Sequence, residues 1–228
     1  MNIRSALTIA GLVAASTAAH AVTYNAASSA YNSTGPFTVC DGGTCQNYST
    51  AMQITGFFET AAPLPANLNN AGISGLVTNY SFNDGIEAYQ AVSLNTRKFQ
   101  FSATTNGSGV LTQANIFVEK WLSGAAPHAV NDRLAYLLMT TGASQATRNE
   151  RCTTIGTSPA GAPDSCTGFA GASGRSTATG SGVNFVAAAA PAAGGVASIP
   201  TVTEWGLILM SAALALIGLA TLRRRTGI

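Results

Sequence analysis

Between Met52 and Met139, apolar and polar residues alternate with a period of two in several short runs, and clusters of turn residues interrupt the alternation. Met52, Ile54 and Phe58 alternate with Gln53, Thr55 and Glu59 around Gly56, which predicts a half-buried strand. Tyr80-Ser81-Phe82 predicts a short strand running into the turn Asn83-Asp84-Gly85. Val92 and Leu94 suggest another, and Phe99, Phe101 and Ala103 alternate with Lys98, Gln100 and Ser102 in the next. Asn106-Gly107-Ser108-Gly109 is a hairpin connection, followed by a strand from Gly109 to Trp121 and an apolar one at Tyr136-Leu137-Leu138-Met139. Pro63 and Pro65 break the pattern, so residues 63–68 read as a connection. Val22 to Gly35, polar and turn-rich, reads as an irregular lead-in. After Thr140 the alternation fades into Gly, Ala, Ser and Thr, with one more strand expected at Gly182 to Ala187. Short strands separated by turn signals predict a mainly β chain, an antiparallel β-sandwich of immunoglobulin-like or jelly-roll-like type.

Both ends depart from this pattern. Met1 to Ala21 has the three parts of a secretory signal peptide: Arg4, an apolar stretch from Ala6 to Ala15, and the small-x-small site Ala19-His20-Ala21. At the other end, Trp205 to Leu222 holds no charged residue and is apolar on every side of a helix. Eighteen helical residues at about 1.5 Å each reach roughly 27 Å, close to the thickness of a bilayer core. Arg223-Arg224-Arg225 then favours the cytoplasmic side, and Trp205 stands where an interfacial aromatic belongs. Pro200 interrupts any earlier helix, and Thr201 with Glu204 fits a capping box. The expected organisation is a signal peptide at 1–21, an exported β-rich domain at 22–186, an Ala/Gly-rich stalk at 187–198, and a tail at 199–228 with a transmembrane helix at 205–222.

The tail resembles the IPTL-CTERM sorting signal, a relative of the PEP-CTERM signals of Gram-negative bacteria. Ile199, Pro200, Thr201, Trp205 and Gly206 match its motif, and Val202 stands where Leu is usual. The resemblance implies handling by an exosortase, a membrane-embedded cysteine transpeptidase, with Ile199, Pro200, Thr201, Val202, Glu204, Trp205 and Gly206 as substrate motif and Arg223, Arg224 and Arg225 as basic stop. It further implies export across the inner membrane, anchoring there by the C-terminal helix, and delivery to the cell surface or extracellular matrix. Gly56 to Leu68, followed by Tyr80 to Gly85, looks like a module of many exported PEP-CTERM-type proteins, one without assigned chemistry.

Composition narrows the rest. The overall charge of +2 owes its sign to the targeting segments; between them seven basic residues face eight acidic ones. A near-neutral body carries no electrostatic footprint for nucleic acid. All four cysteines follow the signal peptide, so an oxidising destination makes disulfides the expectation. Four cysteines allow three pairings; joining neighbours, Cys40 with Cys45 and Cys152 with Cys166, is the simplest. Their spacing matches no zinc pattern, and no metal or other cofactor is expected.

Catalytic chemistry is not legible. His128 remains once His20 leaves with the signal peptide, and Ala126-Pro127-His128-Ala129 reads as a surface loop. No nucleophile elbow, zinc helix or phosphate loop occurs. Asp84 and Glu87 beside Asn83 could seat calcium but read more simply as solvated charges of a turn. Glu119 and Asp132 would form a glycosidase pair only if the fold brought them across a cleft. Trp121, Tyr80, Tyr89 and Tyr136 are candidates for sugar stacking, with core packing the commoner use. The expectation is a non-enzymatic, structural exported protein; an extracellular polysaccharide-binding module or a secreted hydrolase are the alternatives.

Overall fold

The computed structural model describes residues 20–39, 45–171, 174–188, 209–211 and 214. The expected signal peptide up to residue 19, Cys40, and the sorting motif with its arginines lie outside them. The chain divides into two units, Met1–Ala188 and Ala189–Ile228. Residues 209–211 and 214 of the second unit are helical and exposed. No helix among the described residues is long and apolar enough to cross a membrane.

The first unit is built from antiparallel strands: β1 (Val22–Ala30), β2 (Ser33–Gly35), β3 (Gln53–Thr60), β4 (Ala71–Gly72), β5 (Val77–Asn83), β6 (Ala88–Gln90), β7 (Thr96–Thr105), β8 (Leu111–Trp121), β9 (Arg133–Thr140), β10 (Ala143–Gly156), β11 (Ser165–Phe169), β12 (Ser176–Ser181) and β13 (Val183–Ala187). The smaller sheet runs β13-β1-β3-β5-β6. The larger runs β2-β12-β10-β9-β8-β7-β4, with β11 added against β10.

The alternating residues do what their period requires. Ile54 and Phe58 of β3, Tyr80 and Phe82 of β5, Ile116 and Val118 of β8, and Leu137 and Met139 of β9 all turn into one core. The two sheets meet there. Phe58 of the smaller sheet is edge-on to Phe101 of the larger, ring centroids 6.1 Å apart, and Tyr80 approaches Phe101 at 5.4 Å. Gly56 is required by packing. Its φ is +151°, and a Cβ there would lie 2.7 Å from the Cα of Phe82 on β5 and overlap the Ser81 carbonyl.

The predicted hairpin at Asn106 joins β7 to β8. The Asn106 side-chain oxygen accepts from Ser108 N and Val110 N, and Gly109 takes φ +77°. Residues 63–68 form a connection, as their prolines require.

Three expectations are corrected. Val22–Ala30 is a nine-residue strand, not an irregular lead-in; Tyr24 and Ala26 face inward between exposed Asn25 and Ala27, an alternation muted by small side chains. Val92 and Leu94 belong to no strand; they are 85% and 89% exposed on the connection from β6 to β7. The featureless region after Thr140 contains β10, a fourteen-residue strand. Its buried positions include Thr147, Arg148, Asn149 and Glu150, so hydrophobicity could not reveal it. The strand expected near Gly182 is β13, with Val183 and Phe185 buried and Ala187 exposed.

Candidate functional site

The chain has few charges, and much of its buried charge falls into two clusters. The first lies on the outer face of the larger sheet, where β11 and the preceding loop fold over β8 and β9. Trp121, Leu134, Cys152 and Cys166 are buried there as a small core of their own, with Ile155 and Phe169 against them. Cys152 and Cys166 are joined by a disulfide across a sequence separation of 14.

Glu119 is fully buried beneath this cover. Its Oε2 accepts the Cys166 N–H at 3.2 Å, and its Oε1 has no hydrogen-bond partner. Burial pushes its carboxyl up to about 8, against smaller lowering effects of the Cys166 N–H and of Arg97. At neutral pH it is therefore mostly the neutral acid. Such a group can donate a proton, but here the disulfide-bonded cover closes it off. Asp132, its imagined glycosidase partner, accepts the Ala129 N–H at 2.8 Å as the cap of a loop.

Beside Glu119 the Trp121 indole stacks on the His128 imidazole, centroids 4.3 Å apart and planes 8° apart. His128 Nδ1 lies 2.7 Å from Asp164 Oδ2, and Arg97 Nη2 donates to the same oxygen at 2.7 Å. The His128 N–H donates to Asp164 Oδ1, and Trp121 Nε1 donates to the Asp164 carbonyl at 3.0 Å. Burial alone would raise the Asp164 carboxyl, but His128 and Arg97 outweigh it and hold it below the usual carboxylate range. His128 is thus a buried strut rather than the surface residue expected. Sequence reading missed Asp164, which ties the loop before β9 to the loop before β11.

The second cluster lies at the β5–β6 turn. Asp84 is fully buried, where solvated charge was expected. Its Oδ1 accepts the N–H groups of Ile86 (2.9 Å) and Glu87 (2.7 Å). Its Oδ2 accepts the hydroxyls of Tyr48 (2.7 Å) and Tyr89 (2.8 Å), while Tyr31 donates to its carbonyl. Burial raises the Asp84 carboxyl in spite of these donors. Burial, reinforced by the Asp84 charge, also raises the Tyr48 and Tyr89 hydroxyls. Glu87 is held between Arg148 Nε and Lys120 Nζ, each at 2.8 Å. Glu150 of β10 meets Arg175 at 2.5 Å. Asp84 is committed to four donors and Glu87 to two cations. The residues considered for calcium are therefore occupied by the protein itself, and no cluster of metal-ligating side chains occurs among the described residues.

Of the sugar-stacking candidates, Trp121, Tyr80 and Tyr89 are buried. Tyr136 is half-buried in an outer-face cluster with Phe99, Phe117 and Phe169. Phe117 lies 4.4 Å from Phe99, 5.4 Å from Tyr136 and 6.0 Å from Phe169, centroid to centroid. Cys45 is disulfide-bonded, and its expected partner Cys40 lies outside the described residues.

The described body is thus a mainly β protein of antiparallel sheets, with Asp84, Glu87, Glu150 and Asp164 each engaged by its own donors. Its family signature lies elsewhere: residues 197–225 match the IPTL-CTERM motif. The chain therefore carries an IPTL-CTERM sorting motif behind its β-rich body. No curated protein and no solved structure gives a significant match to the chain.

Proposed function

We propose that this chain is an exported, non-catalytic protein, held briefly in the inner membrane by its C-terminal helix and handed by its tail to an exosortase-type enzyme. The β-rich body is then delivered to the cell surface or extracellular matrix, where its role is structural. The match of residues 197–225 to the IPTL-CTERM motif carries this reading. The Cys152–Cys166 disulfide supports an oxidising destination. The engagement of Asp84, Glu87, Glu150 and Asp164 by protein donors supports a structural role, and Glu119, whose Oε1 has no partner, is closed off by the β11 cover.

The test is the intact mass of the mature protein from a native host, with and without its sorting enzyme. A mass lacking residues 1–21, and lacking the tail only when the enzyme is present, is expected. A mass that keeps residues 205–228 in both hosts overturns the processing step.

A second reading, binding of extracellular polysaccharide, is favoured by the half-buried cluster of Phe99, Phe117, Tyr136 and Phe169 on one sheet face. Tyr136 is flanked by Gln145, whose Nε2 donates to its hydroxyl at 3.1 Å, so apolar faces and amide groups lie side by side. Retention of the protein on host polysaccharide, lost in Phe117→Ala, would favour this reading over a purely structural one.

A further inference from the structure

The sheets end in edges of unequal quality. A sheet edge exposes unpaired N–H and C=O groups, and proteins blunt such edges by keeping them short, charged, proline-bearing or bulged. Among the described residues, β6 and β2 are three residues long and β4 is two, too short to template a partner. β11 has five residues, but its register against β10 shifts twice and its Cys166 is tied down by the disulfide.

β13 has none of these protections. Its five residues pair with β1 in an unbroken register from Tyr24↔Ala187 to Ser28↔Val183. It carries no charge, no proline and no bulge, and no charged residue occurs from Ser176 through Thr203. The Ala188 N–H donates to Thr23 O, so alternation along the strand points the N–H and C=O groups of Val183, Phe185 and Ala187 away from β1.

The surface beside this edge is apolar as well. A trough of about 420 Å³ runs between β13 and the start of β8, lined by Val22, Tyr24, Pro63, Val110, Leu111 and Phe185. Val186 on the strand and Val110 on the opposite rim are 53% and 58% exposed. The edge asks for an extended strand and the trough for an uncharged one with apolar side chains. β13 itself meets both conditions, and its central Phe185 presents outward backbone groups suited to a two-fold axis.

We propose that two copies of this chain associate through antiparallel pairing of β13 with β13 of the second copy, centred on Phe185, so that the two smaller sheets become one continuous sheet. In that register Phe185 lies opposite Phe185 of the second copy as a hydrogen-bonded pair. Asn184 lies opposite the second copy's Val186 as a non-hydrogen-bonded pair, in which side chains are closest. The two troughs meet rim to rim, covering Val110 and Val186.

The test uses the full chain in detergent, with its mass followed by sedimentation over a range of concentrations. Val186→Lys places a charge on the edge at an exposed position; Val130→Lys, at another exposed apolar site, is the control. Reversible dimers are expected for the native chain and for V130K, with association at least about tenfold weaker in V186K. Unchanged circular dichroism in V186K establishes that the fold is intact. The double variant Asn184→Cys with Val186→Cys is expected to give an oxidised dimer on a non-reducing gel. A monomer at all concentrations, equal association in V186K and V130K, or no oxidised dimer from the cysteine variant would each overturn the proposal.

Discussion

Cys166 holds Glu119 from above: its backbone N–H donates to Glu119 Oε2 at 3.2 Å while its sulfur is bonded to Cys152. One short strand, β11, thus carries both the covalent staple and the polar contact that close the outer core. The carboxyl it covers is buried, half-satisfied and pushed up to about 8.

Glu119 makes stability depend on pH in a definite direction. Its carboxyl is at about 4.5 in the unfolded chain and about 8 in the folded one. Between these values the folded state holds a proton that the unfolded state has released, so stability falls as pH rises through the window. At 1.36 kcal/mol per unit the loss by pH 8 is on the order of 4 kcal/mol, an upper bound. Glu119→Gln keeps an acceptor for Cys166 and removes the ionisation. The variant is expected to match the native protein near pH 5 and to exceed it in denaturant midpoint near pH 9. Equal slopes of stability against pH in the two proteins would count against this account.

The disulfide is expected to govern access to the outer core. Reduction, or Cys152→Ala with Cys166→Ala, removes a constraint worth about 3 kcal/mol in the loop-closure model. β11 should then separate from β10, wetting Trp121. The measurement is acrylamide quenching of tryptophan fluorescence with Trp205→Phe as background, leaving Trp121 as the reporter. Increased quenching after reduction is expected, with little change in the far-ultraviolet dichroism of the sheets.

Asp84 organises the β5–β6 end of the main core. Asp84→Ala leaves the Tyr48 and Tyr89 hydroxyls and the Ile86 and Glu87 N–H groups without their acceptor. A loss of roughly 3–5 kcal/mol is expected in chemical denaturation, because several buried donors are orphaned together. Tyr48→Phe removes one donor and its own hydroxyl at once, and should cost about 1 kcal/mol. A ranking in which Y48F is the more damaging would refute the shared-acceptor arrangement.

Gly56 is expected to tolerate no side chain. An alanine Cβ would press on the backbone of Ser81 and Phe82 in β5, which cannot yield without breaking the β3–β5 ladder. Gly56→Ala should destabilise by about 3 kcal/mol or more, whereas Gly72→Ala, with open space around it, should fall within about 0.5 kcal/mol of the native protein.

Legibility in the sequence followed the kind of residue each element buries. β3, β5 and β7 were readable from alternation, with Ile54 and Phe58, Tyr80 and Phe82, and Phe101 and Ala103 buried, and β8 and β9 from the hairpin signal at Asn106 and from apolar runs that include Ile116, Val118, Leu137 and Met139. β1 was missed because beyond Tyr24 its inward face is carried by the small side chains of Ala26 and Ser28. β10 was missed because its buried positions hold Thr147, Arg148, Asn149 and Glu150, residues that ordinarily signal solvent. A weak signal existed: in a chain with so few charges, three of them within four residues, Arg148, Glu150 and Arg151, are too concentrated for a featureless linker.

The sequence by itself determined the sorting motif at residues 197–225, the β character of the body and the strands with strong alternation. These rest on local order along the chain: a motif, a period and a turn are complete within a few neighbouring residues. Tertiary structure alone decided that Asp84, Glu119 and His128 are buried, and that Asp164 binds Arg97 and His128. Whether a charge can leave water depends on the partner that meets it. Arg148 reaches Glu87 across 61 positions and Arg97 reaches Asp164 across 67, separations over which no pattern of neighbours carries information.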